Sequence, residues 1–151
     1  MTAAGLGHEH RREPGARRIA RWGLVLFYGV AGVAHLMVTD AMVRITPGWV
    51  PFPHAVVIGT GLCELAGAVG LMTQAWRRAA ALGLALYAVC VFPANVKHAV
   101  HDLGGGVGLG WWYHGPRLLA QPLIVWWALW VAGGSGGRAA ALRGRPARRR
   151  P

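Results

Sequence analysis

Five polar side chains in this sequence are of types that can hold, or pass a proton to, a small molecule: His35, Glu64, Asn95, Arg117 and Gln121. Glu64 poses the sharpest question. It lies in GTGLCELAGAVGL (59–71), where every other residue is small or apolar. A carboxylate facing lipid costs several kcal/mol, so it must be neutral, paired or turned toward a cavity. Its helical neighbours Thr60, Gly61, Gly67 and Ala68 are small, as are Ala31 and Gly32 beside His35. Small residues mark seams where membrane helices approach closely, which turns both side chains inward. Arg117 and Gln121 stand one helical turn apart and share a face. Two readings stay open. Glu64 with Arg117 or His35 is a buried pair that fixes helix register, or the group binds a ligand or handles a proton. No residue is assigned a catalytic role.

Other candidates carry less. His98, His101, Asp102 and His114 are metal-ligating types, with His98 and His101 at i, i+3. A solvated interfacial loop is the favoured reading, so no metal is expected. The HEH of residues 8–10 is a weaker metal candidate. Cys63 and Cys90 fall at similar depth but form no CxxC. Two small buried hydrophobes are favoured over a redox pair. Trp126, Trp127 and Trp130 suit lipid contact or core packing better than stacking on a cofactor.

These residues need elements to position them. The chain has 151 residues, 54% hydrophobic and 14% charged. A soluble domain carries about a quarter charged. The apolar residues come in blocks of about the length that crosses a bilayer core of about 30 Å. The expected fold is all-α, an integral membrane four-helix bundle of residues 21–133 with spans at 21–38, 54–73, 79–96 and 117–133. Basic disordered tails are expected at 1–20 and 134–151. Residues 39–53 read as an irregular connector and 97–117 as a glycine-rich loop. Pro122 falls in the first turns of the fourth span, where early N–H groups lack partners anyway.

The net charge is +11. It sits in the tails and one short turn, and no nucleic-acid motif accompanies it. The expected partner is therefore anionic lipid, not nucleic acid. Of the sixteen Lys and Arg, five lie in residues 11–21, two in the 74–78 turn and six in the C-terminal tail. The positive-inside rule then puts both termini in the cytoplasm. Trp22, Trp76 and Trp130 mark the inner interface, and Trp49, Trp111 and Trp112 the outer. In this topology the five polar residues fall in the outer half, with Glu64 about 15 Å deep.

The segments GWVPFPHAVVIGTGLCELAGAVGLM (48–72), RRAAALGLALYAVCVFPANVKHAV (77–100) and RLLAQPLIVWWALW (117–130) carry a resemblance. In order and spacing the chain, over about residues 20–132, resembles the DoxX-like family of small four-helix bacterial membrane proteins. Glu64, the Phe-Pro-x-Asn of 92–95, Arg117 with Gln121, and His35 match the family's recurrent polar positions. The resemblance implies a four-helix bundle in the bacterial cytoplasmic membrane and a role near membrane redox chemistry, since some members look like membrane subunits of thiosulfate:quinone oxidoreductase. The chain has no haem-ligand pair, flavin or nucleotide motif of its own. The expectation is an accessory protein, not an enzyme alone, that binds a small amphipathic molecule, with quinone as the candidate cofactor. A redox protein and a second copy of the chain are candidate partners. The alternatives are a membrane subunit of a quinone-reducing oxidoreductase complex and a scaffold without activity. A small-molecule transporter is a further class, disfavoured by four short spans without internal repetition.

Overall fold

The computed structural model describes residues 14–106 and 110–133, which form five helices. They are α1 (Gly15–Met37), α2 (Thr39–Ile45), α3 (Pro53–Met72), α4 (Arg77–Gly105) and α5 (Trp111–Gly133). The His8–His10 motif, residues 1–13 and residues 134–151 lie outside the described set.

Local chemistry explains most boundaries. Phe52 adopts a left-handed conformation (φ 50°) and Pro53 follows as the first helical residue. The proline ring presets the helical φ, and its missing N–H would have lacked a partner in the first turn. At the other end of α3, the Thr73 amide donates to the Gly70 carbonyl, and Arg77 donates back to Thr73 across a tight turn. α4 stops at Gly106, whose φ of 62° closes the helix with its N–H on the Asp102 carbonyl.

Four boundaries differ from the sequence expectation. α1 begins at Gly15, so Arg17, Arg18 and Ala20 are helical and not part of a tail. Residues 39–45 of the connector form α2, which Thr39 joins to α1 by donating its hydroxyl to the His35 carbonyl at 2.8 Å. α4 continues beyond residue 96 because KHAVHDL contains no helix breaker before the glycines at 104–106. α5 begins at Trp111 and runs through Pro116 and Pro122. Pro122 is thus interior, a position that costs a soluble helix about 3 kcal/mol. Membrane helices tolerate such prolines when neighbours satisfy the freed carbonyls.

Among the described residues, three helices are long and apolar enough to cross a membrane: α1, α3 and α4. α5 falls short because His114, Arg117, Gln121 and two prolines occupy its first half. Large apolar side chains lie on the outside, among them Leu26, Val30, Val69, Leu86 and Leu119. Trp22, Trp49, Trp76, Trp111, Trp112 and Trp130 are all exposed too. Exposed apolar surface on this scale suits a hydrocarbon solvent better than water.

α1 packs chiefly on α3 and α4 on α5, while α3 also meets α4. The α1–α3 crossing is backbone on backbone. A Cβ at Gly32 would stand 2.8 Å from the Gly61 carbonyl, and one at Gly61 would stand 2.9 Å from His35 Cβ. Glycine at both points lets the helices touch there. The closed core gathers Leu24 and Tyr28 of α1, Ala68 and Leu71 of α3, Ala81, Leu84 and Ala85 of α4, and Ala128, Val131 and Ala132 of α5. Most of these come from the first halves of α1 and α4 and the second halves of α3 and α5, while His35, Asn95, Arg117 and Gln121 lie in the complementary halves and Tyr28 and Glu64 near the middles of α1 and α3.

Arginine closes one end of this core. Arg21 is buried, and its Nη1 donates to the Leu71 carbonyl at 3.3 Å. Arg77 Nε donates to the same oxygen at 3.4 Å. Leu71 is in the last turn of α3, where carbonyls lack helical partners and the helix dipole favours a cation.

Candidate functional site

A cavity of about 440 Å³ lies between the helices, and His35, Glu64, Asn95, Arg117 and Gln121 all line it. The five residues singled out from sequence therefore converge, from α1, α3, α4 and α5. Much of the remaining wall is apolar, with Phe27, Val57, Val91 and Ile124, and the α2 region adds Met42, Ile45 and Val50.

The Gly32–Gly61 contact sets one side of the cavity. His35 flanks that contact, since a Cβ at Gly61 would stand 2.9 Å from its Cβ, and Glu64 is on the next turn of α3. His35 Nδ1 is 2.9 Å from Glu64 Oε2. It is also 2.9 Å from the Ala31 carbonyl. A neutral imidazole has one ring proton, and the direction of this one serves Ala31. Glu64 Oε2 is then close to the ring without a directed hydrogen bond, buried and unpartnered. Glu64 as a residue is only 4% exposed. Its pairing differs from one sequence expectation. Among the described residues there is no Glu64–Arg117 ion pair, and His35 is the cationic type beside the carboxylate.

Arg117 is instead held from α4. Its Nη2 donates to Asn95 Oδ1 at 2.7 Å, and its Nη1 lies 2.6 Å from His98 Nδ1. Asn95 Nδ2 donates to Gln121 Oε1 at 3.0 Å, and Gln121 Nε2 donates to the Ala88 carbonyl at 2.6 Å. Every donor in this chain meets an acceptor, so the amide orientations of Asn95 and Gln121 are mutually fixed. The Ala88 bond reaches the backbone five residues before Pro93, on the stretch of α4 that the proline loosens.

Beyond Arg117 the network continues through three further side chains. His98 Nε2 is 3.3 Å from Asp102 Oδ2, and His114 Nε2 is 3.1 Å from the same oxygen. The ligand atoms of these three residues lie within 4.8 Å of one another. The loop expected here is therefore two helix ends, and His98 and Asp102 face α5 at i, i+4 spacing. His114 is fully buried. His101, the remaining weak metal candidate, is exposed and outside the cluster.

Residues not singled out from sequence complete the cavity. Tyr28, Thr60 and Tyr87 line it. Tyr28 donates to the Leu84 carbonyl at 3.2 Å. A signal for Tyr28 existed, because it precedes His35 by two helical turns and so shares its face. Lys97 reaches the Thr46 carbonyl and ties α4 to the connector. The cysteines correct an expectation: Cys63 and Cys90 are exposed, not buried, and both line a shallow groove between α3 and α4. Cys63 is adjacent to Glu64 in sequence, which turns it about 100° round the helix from the buried face.

The fold and the site define a class: over the described residues, an all-helical protein with three membrane-length helices and a cavity where polar side chains meet largely apolar walls. Residues 24–132 match the family described as Domain of unknown function (DUF8561), and the chain belongs to that family. Neither a curated protein nor a solved structure matches the chain.

Proposed function

We propose that the protein is a DoxX-like four-helix membrane bundle of the bacterial cytoplasmic membrane, with both termini cytoplasmic, that binds a small amphipathic molecule in its outer-side cavity. A quinone or quinol is the ligand class that fits best, and the protein acts as an accessory component of a membrane redox process. One observation carries this reading: five polar side chains from four helices converge on one cavity whose other walls are largely apolar. Such a site suits a polar head and a greasy tail.

The chemistry at the cavity is two-sided. Arg117 is fixed by Asn95 and His98 and retains N–H groups beyond the two they engage, which suits a ligand carbonyl. Glu64 Oε2 is an acceptor without a donor, which suits a ligand hydroxyl. A quinol presents hydroxyls and a quinone carbonyls, so the site offers a partner to each form. Glu64 beside His35 is also a place where a proton given up by a hydroxyl can be taken.

Organic extraction and mass spectrometry of the purified protein, wild type beside Glu64→Gln, tests this. The expected result is a prenylated quinone in near-equal amounts with the wild type and a loss of at least several-fold in the variant, with the helical content unchanged. Absence of any quinone or lipid held in stoichiometric amount by the wild type would sink the reading. If Glu64→Gln then lowered only the thermal midpoint, Glu64 would be a register-fixing residue of a scaffold.

A further inference from the structure

The cluster at the ends of α4 and α5 has donors of a recognisable kind. We propose that His98, Asp102 and His114 form a binding site for a divalent transition-metal cation, zinc foremost, and that loading it releases Arg117 from His98 toward the cavity.

The geometry supplies three ligand atoms. His98 Nε2 and His114 Nε2 stand 3.3 and 3.1 Å from Asp102 Oδ2, and all three atoms lie within 4.8 Å. Ligands about 2.0–2.2 Å from a tetrahedral ion stand about 3.3–3.6 Å apart, so small side-chain shifts close the site. Two imidazoles and a carboxylate suit zinc and its neighbours and leave a fourth position open. Two ligands come from one helix face at i, i+4 and the third from the facing helix, so the backbone presets their spacing. The His114 ring is fully buried, and its Nδ1 has no hydrogen-bond partner. Its bonded nitrogen, Nε2, is the one that faces Asp102 and the proposed ion.

The link to Arg117 follows from proton counting. Without metal, Arg117 Nη1 donates to His98 Nδ1, so the neutral ring carries its proton on Nε2 and donates it to Asp102. A metal on Nε2 needs that lone pair, which moves the ring proton to Nδ1. Two donors then face each other across 2.6 Å, and the guanidinium must leave. Asn95 still holds its other nitrogen, so Arg117 pivots about that bond and not out of the protein. The cation also repels the guanidinium, which acts in the same direction. Metal occupancy and the state of the ligand cavity are thereby coupled, whatever ligand the cavity takes.

The test uses the full chain in detergent with His8 and His10 replaced by alanine, so that the N-terminal histidines contribute nothing. Cobalt(II) is the probe, read by its visible d–d absorption, with zinc as competitor. One cobalt per chain is expected, with the intense bands of a four- or five-coordinate site that zinc abolishes. Asp102→Asn and His98→Gln should each weaken binding at least tenfold. Arg117→Gln should tighten it several-fold, because its amide oxygen can accept the Nδ1 proton that the guanidinium opposes. Lack of a stoichiometric cobalt spectrum, or a spectrum untouched by His98→Gln and Asp102→Asn, overturns the metal site. If Asp102→Asn does not fold, His98→Gln alone decides. Unchanged or weaker binding by Arg117→Gln overturns the coupling.

Discussion

Asn95 joins Arg117 to Gln121. It accepts from Arg117 at 2.7 Å and donates to Gln121 at 3.0 Å, so removing it strands a buried acceptor and a charged donor at once. Asn95→Ala should cost about 1–3 kcal/mol, seen as a lower thermal midpoint in detergent. An unchanged midpoint would mean that Arg117 and Gln121 find other partners. Arg21 offers a second residue-scale test. It is buried on the Leu71 carbonyl, whereas Arg18 is exposed one turn earlier. Arg21→Ala should cost about 1–2 kcal/mol, and Arg18→Ala should fall within about 0.5 kcal/mol of wild type. Equal effects would refute the helix-end role of Arg21. At this scale the sequence was informative about which polar residues converge on the cavity and less so about their partners. Glu64, His35, Asn95, Arg117 and Gln121 stood out because a polar group in an apolar run is expensive. Whether Glu64 meets His35 or Arg117 depends on helix separations of an ångström or two, which no spacing rule encodes. Tyr28 and Tyr87 escaped notice because a tyrosine in an apolar run carries no such penalty.

The elements are held in register by the Gly32–Gly61 contact. A methyl group at Gly32 would meet a carbonyl of α3 at 2.8 Å, and backbone cannot step aside as a side chain can. Gly32→Ala should force α1 and α3 apart and cost about 1–3 kcal/mol. Gly29→Ala, where a Cβ meets nothing within 4 Å, is the control and should leave the thermal midpoint unchanged or higher. Equal midpoints in the two variants would show that the contact does not set register. The apolar blocks placed α1, α3, α4 and α5, since their length and content are strong signals. Their ends were harder to read. Gly-rich and polar stretches suggested loops at 39–53 and 97–117. Yet the i, i+4 pair of His98 with Asp102 supports helix in what looked like a loop, and Thr39 extends the chain into α2 by bonding back to α1.

On the scale of the whole molecule, the apolar exterior makes its own prediction. Cys63 and Cys90 lie among exposed apolar residues of α3 and α4, which are two of the helices long enough to cross a membrane. In native membranes both thiols should react slowly with a charged, membrane-impermeant maleimide and react readily after dissolution in SDS. Fast labelling of both in intact membranes would contradict a lipid-facing surface.

The helices are filled unequally along their length. Toward one end, alanine, leucine and valine interlock with almost no exposure, and arginines seal the last carbonyls of α3. Toward the other, the same helices part around a cavity on which the polar side chains converge, with Pro93 inside α4 and Pro122 inside α5. One end of a single helix should therefore behave as a solid while the other breathes. In deuterium oxide, amides at Val57–Gly61 of α3 should take up label sooner than those at Ala68–Leu71, although both lie in the same unbroken helix. A ligand seated in the cavity should erase that difference, and the molecule would then stiffen from the mouth inward.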